Sequence, residues 1–166
     1  ILSNLANELG DMQKGTDNAD RLGPVRALQS GILTTKDFKR LIIIFILLAI
    51  LSGTVLILTA FHSLLSYKSI LMLFIGGAAA IAAVKYTIGK NPYGYRGLGD
   101  IFVFLFFGWV STLGAYYLMT HQLNPDILLP ATSIGFLTTG VLNINNTRDI
   151  ENDAQCGKRT IPVLIG

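Results

Sequence analysis

Four long runs of apolar residues, each free of Asp, Glu, Lys and Arg, follow one another along the chain at 41–61, 69–84, 101–120 and 127–143. About 20 helical residues, each rising about 1.5 Å, cross the roughly 30 Å hydrocarbon core of a bilayer. The first, third and fourth runs are long enough alone. The second reaches that length only when Lys85 snorkels or residues 86–89 continue the helix. The pattern predicts an all-α, polytopic transmembrane helical bundle with four complete spans.

The polar segments between these runs order the spans into two hairpins within one membrane domain, residues 1–166. Residues 1–9 are predicted to be the tail of a preceding helix, and 10–37 a long polar loop. The hairpins turn at 62–69 and 121–126, while four Gly and one Pro break any helix across 85–100. Because the chain starts and stops in apolar register, we expect a fragment of a longer multi-span protein, without the first and the C-terminal helices.

Charge is scarce and unevenly placed, which is typical of a membrane protein. Charged residues make up 14% of the chain, against about 25% in soluble domains. Twelve of the thirteen Lys and Arg residues fall in segments 1–40, 85–100 and 144–166, and the remaining one is Lys68. This bias predicts that those three segments face the cytoplasm from the cell's inner membrane. It also accounts for the basic pI without a nucleic-acid partner, and the single Cys156 excludes a disulfide framework within the chain.

Polar residues at the end of the last run suggest a site. Asn146, Asp149 and Asp153 are spaced i, i+3 and i+7, which predicts one helical stripe continuing straight out of the span. Oxygen-bearing side chains in a cluster suit Mg²⁺, which takes one or two carboxylates together with water and phosphate oxygens. The alternative is a solvated helix exit with no ligand.

A second acidic cluster, Asn7, Glu8, Asp11 and Asp17, lies at the other cytoplasmic helix end. Two such clusters would repel each other unless cations sit between them. Each is flanked by basic residues: Lys14, Arg148, Lys158 and Arg159. Acidic ligands, Mg²⁺ and basic side chains together suit a diphosphate group, whose oxygens the metal bridges and the cations neutralise.

A third polar segment, 86–100, shares this membrane face. It carries Tyr86, Lys90, Tyr93, Tyr95, Arg96 and Asp100. One interpretation is an interfacial aromatic belt with snorkelling bases. The other is a cap over the site that offers Lys90 to a phosphate and aromatic rings to a cationic intermediate.

With these motifs in order, the chain resembles the UbiA superfamily of intramembrane aromatic prenyltransferases, and within it the branch that prenylates 1,4-dihydroxy-2-naphthoate. The resemblance covers residues 7–31, 86–108 and 145–160, with spans between them. The superfamily's first motif usually runs Asn-Asp-x-x-Asp-x-x-x-Asp. Here Glu8 stands in place of the first Asp, and the last acid falls at Asp17 rather than at Gly15.

The resemblance implies a ring of nine transmembrane helices around a cavity open to lipid, and it implies roles for individual residues. The implied Mg²⁺ ligands are Asn7, Glu8, Asp11, Asp17, Asn145, Asn146, Asp149 and Asp153. The implied diphosphate-binding residues are Lys14, Tyr86, Lys90, Arg148, Lys158 and Arg159. The implied catalytic residues are Asp11, Asp149, Asp153 and Lys90.

The reaction implied is Mg²⁺-dependent transfer of a polyprenyl group from polyprenyl diphosphate to the naphthoate ring. Loss of the ring carboxyl as CO₂ would give demethylmenaquinone. Besides these two substrates the lipid bilayer is the expected partner, and no protein partner is implied. Arg26 and Gln29 are candidates for holding the acceptor's carboxylate, since a guanidinium forks well onto a carboxylate. The alternative for these two residues is a lipid-headgroup contact.

Three other functions would each leave a different pattern in the sequence. Prenyl transfer to another acceptor, such as 4-hydroxybenzoate or a chlorin, would use the same acidic motifs. It would not be expected to share the less general sequences of segments 14–31 and 91–100. A CDP-alcohol phosphotransferase would carry an Asp-rich signature with an internal Ala-Arg, which is absent here. A transporter or channel would be expected to place charged residues midway through its spans, and these four spans have none.

Overall fold

Four helices of the computed structural model, which describes residues 1–166, are long and apolar enough to cross a membrane. They are Thr35–Phe61, Tyr67–Lys85, Gly99–Thr120 and Pro125–Arg148. No strand is present. Most of their large apolar side chains are exposed, as expected where lipid replaces water as the solvent. The prediction of an all-α polytopic bundle with four spans is confirmed, and the chain is a multi-pass membrane protein.

The first helix, α1 (Leu2–Lys14), extends five residues beyond the predicted tail 1–9. It ends at Gly15, whose φ of 75° places it in the left-handed region, and the Gly15 N–H donates to the carbonyls of Asp11 and Met12. Leu9 on α1 packs with Leu28, and this pair joins Phe38 and Ile42 in a small apolar core. The first acidic motif therefore begins on a helix that is held against the next span.

The first hairpin consists of α2 (Thr35–Phe61) and α3 (Tyr67–Lys85). Helix α2 starts six residues before its apolar run because Thr34 and Asp37 form a reciprocal capping box. Ser66 caps the start of α3 in a similar way, accepting from the Ser69 N–H. Helix α3 ends at Lys85, so residues 86–89 do not extend it. The second span thus gains its length mainly at its N-terminal end.

The second hairpin contains an irregularity that the sequence did not predict. Its first arm is α4 (Gly99–Val103), a π-helical segment (Phe104–Val110) and α5 (Ser111–Thr120), and its second is α6 (Leu128–Arg148) after a 3₁₀ turn. The π-helical segment packs along α6, where a Cβ added to Gly108 would lie 2.6 Å from the Gly135 Cα. Two glycines thus let the backbones of the arms touch, as small residues do in membrane helix pairs.

The predicted straight stripe through Asn146, Asp149 and Asp153 is wrong in one respect. Helix α6 ends at Arg148, and Asp149 (φ −99°, ψ 18°) interrupts it before α7 (Ile150–Gln155) and α8 (Ile161–Ile165) follow. Helical hydrogen bonding resumes at once, since the Asp153 N–H donates to the Asp149 carbonyl at 2.8 Å. The second motif is therefore spread over two helices and the junction between them.

Candidate active site

A polar cavity of about 270 Å³ lies at one end of the bundle, where α1 and the following loop meet the junction of α6 and α7. Four carboxylates line it: Asp11, Asp17, Asp149 and Asp153. Four cations line it as well: Arg21, Arg26, Arg148 and Lys158. Four amides, Asn7, Asn145, Asn146 and Asn152, supply further oxygen atoms. Both acidic motifs thus face one cavity, and its formal charge is balanced when all eight ionisable groups are charged.

Direct contacts join the two motifs across more than 130 residues of sequence. The Asn152 side-chain amide donates a buried 2.8 Å hydrogen bond to the Thr16 carbonyl. The Arg21 Nε lies 3.3 Å from Asp17 Oδ1 and 3.9 Å from Asp149 Oδ2. Lys158 Nζ lies 3.8 Å from Asp11 Oδ1 and 3.5 Å from Asp153 Oδ1. Arg21 and Lys158 therefore each contact one carboxylate from each motif, which offsets the repulsion between the motifs.

Asp11, which is almost fully buried, is held from a third segment of the chain. The Tyr95 hydroxyl donates to Asp11 Oδ1 at 2.8 Å and also contacts the Thr16 hydroxyl at 2.6 Å. Burial raises the pKa of Tyr95 well above its ordinary value, with the Asp11 charge adding to the effect. The hydroxyl therefore stays protonated and remains a donor. Ammonium groups of Lys14 and Lys158 lie 5.3 and 5.5 Å from the ring centroid, within cation–π range.

The carboxylates differ in how easily they ionise. Burial raises the pKa of Asp17 to about 6, against the opposing field of Arg26. Burial likewise raises the pKa of Asp153 to about 6, although Lys158 opposes it. At Asp149 burial also acts to raise the pKa, but the hydrogen-bonded Arg148 guanidinium outweighs it and the pKa is lowered. Asp17 and Asp153 are therefore harder to ionise than Asp149, because burial outweighs the favourable field of their cationic neighbours.

The residues present fit Mg²⁺ in kind, although they are not gathered around a metal position. Buried oxygens of Asn7, Asp17 and Asp153 accept no hydrogen bond. Hard oxygen atoms of this sort are the ligands that Mg²⁺ prefers, and a divalent cation would favour the ionised forms of Asp17 and Asp153. No three acidic side chains form a ready metal cluster, however, because the carboxylates are paired with Arg and Lys instead.

Two residues from the sequence-based list hold the loop after α1 and do not line the cavity. Glu8 Oε1 accepts a 2.8 Å hydrogen bond from the Leu28 N–H. Gln29 donates to the Asn18 carbonyl at 2.8 Å and accepts from the Arg26 N–H at 3.3 Å. The structure thus places Glu8 away from the other predicted metal ligands. Of the predicted acceptor pair, only Arg26 reaches the cavity, where it lies 3.7 Å from Asp11 and 3.3 Å from Asp17.

The six predicted diphosphate-binding residues lie in three places. Tyr86, Arg148 and Lys158 line the cavity, whereas Lys14 and Lys90 line a separate groove of about 410 Å³ together with Tyr95 and Arg96. The Arg159 side chain is exposed and lines neither space. Lys90, predicted to reach a phosphate, is therefore outside the cavity in this conformation.

Sequence reasoning missed two residues that connect the motifs, Arg21 and Asn152. Both lie inside the stretches 7–31 and 145–160 that carry the resemblance. Arg21 follows Asp17 by four residues and Asn152 precedes Asp153. A basic residue this close to the last acid of the first motif was the available signal for Arg21.

Comparison with known proteins identifies the family. The model of the UbiA prenyltransferase family matches residues 1–166, the whole chain. The chain belongs to the UbiA prenyltransferase family. No solved structure matches it.

Among UbiA relatives, the chain is 51% identical over its full length to 1,4-dihydroxy-2-naphthoate octaprenyltransferase of Escherichia coli K12, and covers 53% of that protein. It is 47% identical over its full length to the Haemophilus influenzae protein of the same name, again covering 53%. It is also 29% identical over 98% of its length to mouse UbiA prenyltransferase domain-containing protein 1, covering 46%. The chain thus spans about half the length of the curated relatives it matches.

Proposed function

We propose that the full-length protein transfers a polyprenyl group from polyprenyl diphosphate to 1,4-dihydroxy-2-naphthoate, in menaquinone biosynthesis. The observation that carries this proposal is the single cavity in which two acidic motifs and four cations meet at the end of a membrane bundle. The names of the E. coli and H. influenzae relatives support the naphthoate as the acceptor.

The cavity residues act on the diphosphate end of the donor. Arg148 and Lys158 lie where they can neutralise charge on the departing diphosphate as its bond to the allylic carbon breaks. Mg²⁺, when bound, would neutralise phosphate oxygens and make the diphosphate a better leaving group. Asp11, Asp17, Asp149 and Asp153, with Asn7 and Asn146, are the residues that would hold it. Buried Tyr95 keeps Asp11 oriented toward this cavity.

Bond breaking leaves an allylic cation, and the electron-rich naphthoate ring attacks it. The new carbon–carbon bond forms at the ring carbon that carries the carboxyl group. Loss of CO₂ then returns the bonding electrons to the ring, and the product is demethylmenaquinol, the hydroquinone form of demethylmenaquinone, with diphosphate as the leaving group. Arg26 is the cavity cation proposed to fork onto the acceptor's carboxylate before this step.

The protein's surroundings fit the substrates. A polyprenyl tail is hydrocarbon, and the four spans offer it exposed apolar side chains. The bias of Lys and Arg toward the cavity end supports a cytoplasmic opening in the inner membrane, which is where a charged diphosphate and a naphthoate would enter.

The test is prenyl transfer by membranes carrying the full-length protein. An all-trans polyprenyl diphosphate is offered with 1,4-dihydroxy-2-naphthoate or with 4-hydroxybenzoate, first with Mg²⁺ and then with EDTA. We expect Mg²⁺-dependent prenylation of the naphthoate with release of CO₂. Transfer only to the benzoate would reject the naphthoate as the acceptor. Transfer that persists in EDTA would reject the dependence on Mg²⁺.

A further inference from the structure

Arg21 occupies the place between the two acidic motifs where a cation is needed. Its Nε contacts Asp17 at 3.3 Å and Asp149 at 3.9 Å, and its side chain is 9% exposed. Its Nη1 donates a 2.8 Å hydrogen bond to the Pro24 carbonyl, which anchors the guanidinium to the loop after α1. The group is thus kept in the cavity by the backbone as well as by the carboxylates.

The ion pairs of Arg21 are looser than the neighbouring pair of Arg148. Arg148 forks onto Asp149 with two hydrogen bonds of 3.1 and 2.7 Å. Neither carboxylate oxygen of Asp17 accepts a hydrogen bond, although Arg21 and Arg26 both lie 3.3 Å away. A contact without hydrogen-bond geometry holds its partners less tightly than a charge-assisted, forked one. A ligand can therefore detach Arg21 from its carboxylates at lower cost than it can detach Arg148 from Asp149.

The charge balance of the cavity also favours a role for Arg21. Four carboxylates face four cations, so a divalent cation that binds the carboxylates gives the cavity an excess of positive charge. A diphosphate entering with the metal supplies negative oxygens that offset this excess. The planar guanidinium of Arg21 suits bidentate binding of such oxygens.

We propose that Arg21 exchanges partners in this cavity: it holds Asp17 and Asp149 when no ligand is bound, and binds diphosphate oxygens when the metal and the donor are present. The inference rests on the proposed function, because it takes Mg²⁺ and a diphosphate as the ligands. It assigns to Arg21 two effects of opposite sign. Arg21 competes with Mg²⁺ for the carboxylates, and it strengthens binding of the diphosphate.

Isothermal titration calorimetry of the full-length protein in nanodiscs separates these effects. Mg²⁺ alone is titrated first, and inorganic pyrophosphate is then titrated in saturating Mg²⁺. For Arg21→Gln we expect Mg²⁺ alone to bind about fivefold tighter or more, in the range of ordinary coupling between sites. We expect pyrophosphate to bind about tenfold weaker or more, because a charge-assisted contact is lost.

Arg40→Gln is the matched control, since it removes the same charge from an exposed side chain that lies near Asp37 only. It should leave both affinities unchanged. Arg21→Lys keeps a cation beside the carboxylates but loses the fork, so Mg²⁺ should bind as in the wild type and pyrophosphate less tightly. If thermal unfolding shows that Arg21→Gln does not fold, the two affinities of Arg21→Lys test the exchange instead.

The outcomes distinguish a failure of the proposed function from a failure of the partner exchange by Arg21. Wild-type protein that binds neither Mg²⁺ nor pyrophosphate would overturn the proposed function and the exchange with it. Wild-type protein that binds both, with Arg21→Gln unchanged or weaker toward both ligands, would overturn the exchange alone. In the latter case Arg21 would be a structural link between the motifs.

Discussion

The Tyr95 hydroxyl donates a 2.8 Å hydrogen bond to Asp11 Oδ1, joining residues 84 positions apart in the chain. Both residues are buried. The segment between α3 and α4 is therefore fixed to the first acidic motif. Because of this contact, the aromatic segment 86–100 supports the cavity and is more than an interfacial belt.

Tyr95→Phe tests this support. The ring and its contacts with Lys14 and Lys158 remain, but Asp11 loses a hydrogen bond of a kind worth about 1.5–3 kcal/mol. We expect kcat/KM for prenyl transfer to fall about 10- to 100-fold. Tyr67→Phe is the control, because Tyr67 is 75% exposed. Equal activity of the two variants would show that Tyr95 does not position Asp11.

Glu8→Gln separates a loop anchor from a metal ligand. Glu8 accepts a hydrogen bond from the Leu28 N–H, and a carboxamide oxygen can accept the same bond. We expect the Mg²⁺ concentration for half-maximal activity to stay within about twofold of the wild-type value, since a changed residue outside the site affects binding little. A large rise in the required Mg²⁺ would place Glu8 among the metal ligands after all.

Gly108→Ala probes the close contact between the arms of the second hairpin. The added methyl group would meet the Gly135 backbone at 2.6 Å, so the helices must separate. We expect a loss of about 1–3 kcal/mol, as for other overpacked positions, measured by thermal or denaturant unfolding in detergent. Gly114→Ala, in α5, adds the same methyl group where nothing lies within 4 Å and should not destabilise. Equal stability of both variants would contradict the packing.

Arg26→Ala tests the assignment of the acceptor site. Arg26 lines the cavity, and its guanidinium is the group proposed for the naphthoate carboxylate. We expect the acceptor KM to rise about tenfold or more, the effect of losing a charge-assisted contact, with the donor KM nearly unchanged. Gln29→Ala, whose side chain contacts only the loop backbone, is the comparison. An acceptor KM that does not respond to Arg26→Ala would reject the assignment.

The spans could be predicted from the sequence because hydrocarbon tolerates few charges, and runs of about 20 apolar residues are therefore distinctive. The ends of the spans could not be predicted, since they depend on local hydrogen bonds such as that between Thr34 and Asp37. The π-helical segment was missed for a related reason. The segment packs on α6 through Gly108 and Gly135, a contact between distant residues that no local pattern reveals.

The acidic motifs were recognisable, but their partners were not. Spacing identified Asp11 and Asp149 as site residues, yet it did not identify Arg21, whose role depends on how the loop after α1 folds back. Lys90 shows the reverse case. It belongs to a recognisable motif, while the path of the chain after α3 carries its side chain into the outer groove.

The central claim is that both acidic motifs form one metal–diphosphate site. Its most direct test is the turnover of full-length Asp11→Asn, Asp149→Asn and the double variant, with the exposed Asp20→Asn as a control. We predict that each single change in the cavity lowers kcat by about 100-fold or more, and that the double variant is little worse than either, because residues acting as a unit are not additive. Near-wild-type turnover of both single variants, or fully additive losses in the double variant, would contradict the claim.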